Sequence, residues 1–130
     1  MMPQSQLPLP SPVIIVVDDD PAVCNSLKFS LELEGFTVRS YRSAGELLDA
    51  AAPADCNCYV IDQRMPGMSG MDLIAKLRER QIATPAILII SQPNDLLSAR
   101  AARAGVPIVE KPLLSNTLVD AIREACRLAR

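Results

Sequence analysis

Two short runs of the sequence consist entirely of apolar residues, and they constrain the fold more than any other feature. Residues 13–17 (VIIVV) are rich in β-branched side chains, and residues 86–90 (AILII) repeat the pattern. Such runs are typical of strands buried on both faces, as in a parallel sheet that is covered by helices. A chain of 130 residues is long enough for one such domain and too short for two.

Three further strands and five helices are predicted around these runs. Residues 37–41 alternate in polarity, residues 58–61 form a strand that ends at Asp62, and residues 107–109 form a short fifth strand. The helices are predicted to begin at Asp20–Pro21, Ser43, about Met71, Asn94 or Asp95, and Ser115 or Asn116. The alternation predicts an α/β fold, a doubly wound, five-stranded parallel sheet with five helices.

The ends and the composition of the chain exclude several classes of protein. Residues 1–12 contain four prolines and no basic run, which predicts a disordered leader before a domain at residues 13–130. No segment approaches the roughly 20 apolar residues of a membrane span, so we expect a cytoplasmic protein. A net charge of −2 argues against direct nucleic-acid binding. The four cysteines form no CxxC pair and no His is present, so we expect free thiols rather than a zinc site.

Charged and polar residues follow four of the predicted strands. In sheets of this kind, ligands bind outside the carboxyl ends of the strands, so these residues are expected to meet at one edge. They are Asp18, Asp19 and Asp20, then Asp62, Ser91 and Lys111. Carboxylates about 4 Å apart repel by about 4 kcal/mol at an effective dielectric constant of about 20, so cations must neutralise them. Lys111 supplies one of these cations. A hard divalent cation, most of all Mg²⁺, would neutralise the remaining carboxylate charge.

A carboxylate placed beside Mg²⁺ and an ammonium group is a competent nucleophile towards phosphorus. The two cations would stabilise charge on the transferring oxygens. The strand-end cluster therefore predicts an acceptor of phosphoryl groups.

Three segments carry a family resemblance. Residues 17–21 (VDDDP), 62–70 (DQRMPGMSG) and 110–112 (EKP) resemble the signature segments of bacterial response-regulator receiver domains. The resemblance is closest to nitrogen-fixation-type transcriptional regulators and covers about residues 13–128. It implies a flavodoxin-like (receiver) topology and a role in two-component signal transduction.

The resemblance also implies a role for each site residue. Asp62 would be the phosphoacceptor, with a sensor histidine kinase or phosphotransfer protein as donor, and Lys111 would pair with it. Mg²⁺ would be held by Asp62, by Asp19 directly, by Asp18 through water and by the backbone carbonyl of Arg64. The Lys111–Pro112 peptide would be cis. Self-phosphorylation and dephosphorylation would be the only chemistry, so the chain is not expected to be an enzyme.

Two positions depart from the receiver pattern. The family usually has Thr or Ser at the end of the fourth strand, where this chain has Ile90. Ser91 is one residue later and would serve only if the strand ends early or bulges. The fifth strand usually carries an aromatic residue where Ile108 stands. We therefore expect intact phosphoryl acceptance and an altered conformational relay.

The sequence is compatible with two alternative functions. One is a phosphorylation-independent receiver that binds a partner through the face of the fourth helix, fifth strand and last helix; a homodimer or an effector could use the same face. Helical spacing places there Arg100, Arg103, Asp120, Arg123, Glu124 and Arg127. The other is a haloacid-dehalogenase-like phosphatase with Asp18 as nucleophile and Asp20 as acid, although that fold generally needs a longer chain.

Overall fold

The computed structural model describes residues 11–51, 53–113 and 116–128, and strands and helices alternate through them. In chain order the elements are β1 (Val13–Val17), α1 (Pro21–Leu33), β2 (Thr37–Tyr41), α2 (Ala44–Asp49), β3 (Cys58–Asp62), α3 (Gly70–Glu79), β4 (Ala86–Ile90), α4 (Asp95–Arg103), β5 (Ile108–Glu110) and α5 (Thr117–Leu128). Ten of the twelve residues of the predicted leader, and Ser115, lie outside the described residues.

The five strands form one parallel sheet in the order β2-β1-β3-β4-β5. This order confirms the predicted doubly wound sheet. The strand order reverses at β1, because the chain first goes to β2 on one side and then crosses to β3 on the other. The carboxyl ends of β1 and β3 are therefore the place where this architecture leaves a crevice.

Helices cover both faces of the sheet, which explains the fully apolar strands. On one face, Ile15 and Ile61 pack with residues of α2, α3 and α4. On the other face, Val16 and Val60 pack with residues of α1 and α5. Alternate residues of one strand thus enter two different hydrophobic clusters, and β3 and β4 are buried along their whole length.

The predicted helix starts are found where the sequence offers a side-chain acceptor. Asp20 accepts a hydrogen bond from the backbone N–H of Ala22, with Pro21 in the first turn. Ser43 begins α2 in the same way, and Asn94, rather than Asp95, begins α4. The cap of α3 at Ser69 was not predicted. At the start of α5, the carbonyl of Asn116 accepts a hydrogen bond from the N–H of Asp120.

Some boundaries differ from the predictions. Helical spacing predicts one buried face of α1 that includes Leu27, Leu31 and Leu33. In the structure this face includes Cys24, whereas Leu33 is 72% exposed. β5 begins and ends one residue later than predicted, at Ile108 and Glu110. Pro12, counted with the leader, is joined to the sheet because its carbonyl accepts a hydrogen bond from the N–H of Thr37. In the part of the chain that is described, no helix has the length and apolar character needed to cross a membrane.

Candidate functional site

The strand ends bring two buried carboxylates and one ammonium group together. Asp18 follows β1, Asp62 ends β3 and Lys111 follows β5. The Nζ atom of Lys111 lies 3.0 Å from Oδ1 of Asp62 and 3.8 Å from Oδ2 of Asp18. Both carboxyl side chains are buried, and Lys111 is partly buried. The Lys111–Pro112 peptide that follows is cis, as the resemblance implied.

A third carboxylate completes a set of oxygen donors. Oxygen atoms of Asp18, Asp19 and Asp62 lie within 4.8 Å of one another, and Asp19 is exposed to solvent. Carboxylates together with a backbone carbonyl and water are the ligands that Mg²⁺ prefers. Arg64 lies two residues beyond Asp62 in the exposed start of the loop. The donor set therefore fits a hard divalent cation, with room on the solvent side for water ligands.

The three consecutive aspartates have different structural roles. Asp20 caps α1, which is the structural role that an Asp-Pro sequence predicts. Asp18 is held from both sides, since its Oδ1 accepts from the N–H of Asp20 at 2.9 Å and its own N–H donates to the carbonyl of Tyr41 at 3.1 Å. Asp19 is left to face the carboxylate of Asp62. Capping thus accounts for Asp20 and leaves Asp18 and Asp19 for the site.

Burial and charge shift the protonation of this cluster. Burial raises the pKa of Asp18, and the charge of Asp62 raises it further, while the N–H of Asp20 and the charge of Lys111 oppose this. For Lys111, burial favours the neutral amine. The hydrogen bond and charge of Asp62, together with the charge of Asp18, outweigh burial and raise the Lys111 pKa. Lys111 is therefore protonated at neutral pH, and the Asp18 carboxylate is the ion that the fold disfavours.

The loop after Asp62 is held by two residues that the sequence did not single out. The backbone carbonyl of Gln63 accepts from the N–H of Gly70 at 3.1 Å, and its Oε1 accepts from the N–H of Met71 at 2.9 Å. A Cβ atom at Gly70 would lie 2.6 Å from the carbonyl oxygen of Asp62. Helix α3 therefore approaches the end of β3 closely only because residue 70 is glycine. The glycine that ends the DQRMPGMSG segment and begins α3 was the available signal.

The end of β4 shows neither the early stop nor the bulge that would turn Ser91 inward. Asp62 pairs with Ile89 and Ile90 pairs with Glu110 in regular register. Ile90 is the last residue of the strand and is buried, while Ser91 is exposed directly after it. Both residues line a cavity of about 400 Å³ beside Asp62. Ile90 therefore occupies the place where receivers usually carry a hydroxyl.

Two arginines of the predicted partner face form ion pairs with residues of other elements. Arg100 of α4 donates to Oδ1 of Asp72 on α3 at 2.9 Å. Arg123 of α5 donates to Oε1 of Glu34 at 3.2 Å, and its guanidinium lies 5.7 Å from the centre of the Phe36 ring. Arg100 and Arg123, both predicted for the face of α4, β5 and α5, thus pair with carboxylates of residues outside those three elements.

Comparison with known proteins agrees with this architecture. The family model of the response regulator receiver domain matches residues 14–123. The transcriptional regulatory protein FixJ of Azorhizobium caulinodans is 39% identical over 110 residues, which are 83% of this chain and 52% of FixJ. The response regulator protein TmoT of Ectopseudomonas mendocina is 36% identical over 118 residues, which are 90% of this chain and 54% of TmoT. The chain thus spans about half the length of these relatives.

Solved structures show the same fold. The crystal structure of FixJ-N has a TM-score of 0.82 and 32% identity, covering 92% of this chain and 96% of that one. The receiver domain of Francisella response regulator 1452 has a TM-score of 0.84 over 92% of this chain and 100% of that one, and at 22% identity it supports the fold alone. With its parallel sheet, its strand-end acids and these similarities, the chain belongs to the response regulator receiver domain family of two-component systems.

Proposed function

We propose that this receiver domain accepts a phosphoryl group on Asp62 from a phosphohistidine on a sensor histidine kinase or phosphotransfer protein. The observation that supports the proposal is the contact between Lys111 Nζ and Asp62 Oδ1 at 3.0 Å, within a cluster of three carboxylates. A purely structural ion pair would not need two further acids at the same strand ends, because their repulsion destabilises the fold.

In the transfer step, a carboxylate oxygen of Asp62 attacks phosphorus. The new O–P bond forms as the P–N bond to the imidazole breaks, and the imidazole leaves with the electron pair of that bond. Lys111 remains protonated and close to Asp62, so it can stabilise negative charge on the transferring oxygens. The cavity beside Asp62 offers space for a phosphoryl group.

Magnesium is the cofactor that this site fits. Asp62, Asp19 and the backbone carbonyl of Arg64 would bind it directly, and Asp18 would bind it through water. When bound, Mg²⁺ neutralises the carboxylates and adds positive charge beside the transferring oxygens. Asp18 and Asp19 would then hold the ion in position beside Asp62.

Labelling with a small phosphodonor tests the assignment. Wild-type protein incubated with acetyl phosphate and Mg²⁺ is expected to gain one acid-stable, base-labile phosphoryl group on Asp62. Asp62→Asn should gain none, whereas Asp49→Asn, which removes an exposed carboxylate at the end of α2, should be labelled as wild type. Labelling of Asp62→Asn, or of wild type in excess EDTA, would contradict the proposal.

A phosphorylation-independent receiver is the second candidate, and Ile90 and Ile108 favour it. Neither residue supplies the hydroxyl or the aromatic ring that receivers usually use to relay phosphorylation. This alternative predicts that a partner binds wild type and Asp62→Asn equally well.

The phosphatase hypothesis has no support from the family, and Asp20, its candidate acid, is the cap of α1.

The α4–β5–α5 face is the surface proposed for a second copy or an effector. Its exposed charges include Arg103 on α4 and Asp120, Glu124 and Arg127 on α5. Charge reversal in Arg103→Glu is expected to weaken association with the partner or a second copy, measured by sedimentation or binding calorimetry. Unchanged association would place the interface elsewhere.

A further inference from the structure

The cavity beside Asp62 has a positively charged wall that the phosphoryl chemistry described above does not use. Among its lining residues are Asp62, Ile90, Ser91, Asn94, Arg64 and Arg100. Of the described residues that line it, Arg64 and Arg100 carry positive charge. Lys111, the cation of the site itself, is already bound to Asp62 and close to Asp18.

Phosphorylation would change the charge requirement of this cavity. An aspartyl phosphate carries a charge near −2 and three strong acceptor oxygens in place of one carboxylate. On the β4 side, Ile90 offers no donor and Ser91 offers an uncharged hydroxyl. Asn94 at the start of α4 uses its Oδ1 to accept from the N–H of Leu97, and its amide nitrogen is an uncharged donor. The added charge therefore faces a wall in which a guanidinium is the strongest available donor.

Arg100 is held in a way that allows it to change partners. One nitrogen, Nη2, contacts Oδ1 of Asp72 at 2.9 Å, and both side chains are about half exposed, at 44% and 56%. An exposed, single-contact ion pair contributes little, because water readily replaces either partner. A phosphoryl group in the cavity has more charge and can accept two parallel N–H bonds from the planar guanidinium.

We propose that Arg100 is a phosphate-binding residue: once Asp62 is phosphorylated, the Arg100 guanidinium leaves Asp72 and donates hydrogen bonds to the phosphoryl oxygens across this cavity. The proposal rests on phosphorylation of Asp62. Because Arg100 belongs to α4, the exchange of partners removes an ion pair between α4 and α3 and links α4 to the phosphorylated site. The Arg100 guanidinium thereby takes the place of the hydroxyl that Ile90 lacks. The donor then comes from a helix instead of a strand.

Two variants separate binding of phosphate from a structural role of the ion pair. Arg100→Gln and Asp72→Asn both remove the pair, so a purely structural role predicts the same effect from both. The proposal predicts opposite effects, because Asp72→Asn frees Arg100 whereas Arg100→Gln removes the donor. Arg100→Lys should restore part of the binding. Lys76→Gln, which removes an exposed charge on α3 that pairs with Glu79, is the matched control.

The readout is the affinity of the Mg²⁺-loaded protein for beryllofluoride, followed by ¹⁹F NMR of the bound anion. Arg100→Gln should bind about ten- to a hundredfold more weakly than wild type, the range for losing a hydrogen bond to a charged group. Asp72→Asn should bind about two- to fivefold more tightly. Lys76→Gln should match wild type.

The failure of this proposal can be told from the failure of the proposed function. If wild type neither binds beryllofluoride nor is labelled by acetyl phosphate, both fail together. If wild type is labelled and Arg100→Gln binds beryllofluoride as tightly as wild type, only the role of Arg100 is overturned. If Arg64→Gln weakens beryllofluoride binding and Arg100→Gln does not, the phosphate-binding role belongs to Arg64. That result would also overturn the role of Arg100.

Discussion

At Gly70, the absence of a side chain sets the geometry of the site. A Cβ atom there would lie 2.6 Å from the carbonyl oxygen of Asp62 and 2.8 Å from Cδ1 of Leu88. One of these neighbours is backbone and the other is a buried side chain, so neither can move aside easily for an added Cβ atom. The first turn of α3 and the end of β3 must therefore separate if any larger residue is introduced.

Gly70→Ala is expected to lower the free energy of unfolding by about 1–3 kcal/mol, the usual cost of overpacking. Because the displaced backbone belongs to Asp62, labelling by acetyl phosphate should also slow. Gly45→Ala in α2 is the control, since the nearest atom to its new Cβ, Oγ of Ser43, is 3.8 Å away. Urea unfolding of both variants tests this, and equal stabilities would show that α3 adjusts without cost.

The sequence predicted which residues of the candidate site follow strands and missed the contacts that depend on tertiary structure. Asp18 and Lys111 could be predicted because a parallel sheet brings every strand end to one edge. The pairing of Arg100 with Asp72 joins positions 28 residues apart on two helices, and periodicity gives no information about it. Spacing fixes which face of a helix a residue occupies only approximately.

At the scale of elements, predictions were accurate where one physical requirement dominates. β4 was predicted because a strand buried on both faces has to be apolar throughout. The caps at Asp20 and at Asn94, one of two candidates for α4, were predicted because few side chains accept hydrogen bonds from the free N–H groups of a first turn. The exposure of Leu33 was not predicted, because helical spacing does not tell which residue in the last turn of α1 a neighbouring element covers.

The relay between elements should follow α4 rather than β5. A switch needs contacts that differ between its two states, and Ile108 has no ring that can exchange positions with a hydroxyl. Amide NMR of the beryllofluoride-bound protein should therefore show shifts around Asp62, Lys111 and the α3–α4 contact, and weak shifts along β5 and α5. Asp62→Asn treated identically is the control. Large shifts through Ile108 and α5 would indicate the usual relay.

For the molecule as a whole, the carboxylates at the strand ends oppose folding until cations neutralise them. Asp18 and Asp62 are the two charged residues that are buried among the described residues, and Lys111 is shared between them. One ammonium cannot balance three acids, so the fold without metal retains net repulsion at this edge. A divalent cation bound at this edge would relieve the same repulsion.

Mg²⁺ is therefore expected to stabilise the protein, and to do so less in acid. A ligand that binds only the native state adds about 2.7 kcal/mol at a hundredfold excess over its Kd. At roughly 4 °C per kcal/mol for a domain of this size, Tm should rise by about 10 °C. Asp19→Asn should reduce this gain, and Asp49→Asn should leave it unchanged.

The pH dependence follows from the raised pKa of Asp18. Because the fold disfavours the Asp18 carboxylate, this group makes the metal-free protein relatively more stable below its raised pKa and less stable as pH rises through it. Mg²⁺ needs the ionised form, so the gain in Tm should grow as pH rises through that pKa and shrink as pH falls below it. Thermal melts with and without millimolar Mg²⁺, from pH 4 to pH 8, measure this difference. A gain that is constant across the range would show that Asp18 does not take part in holding the metal.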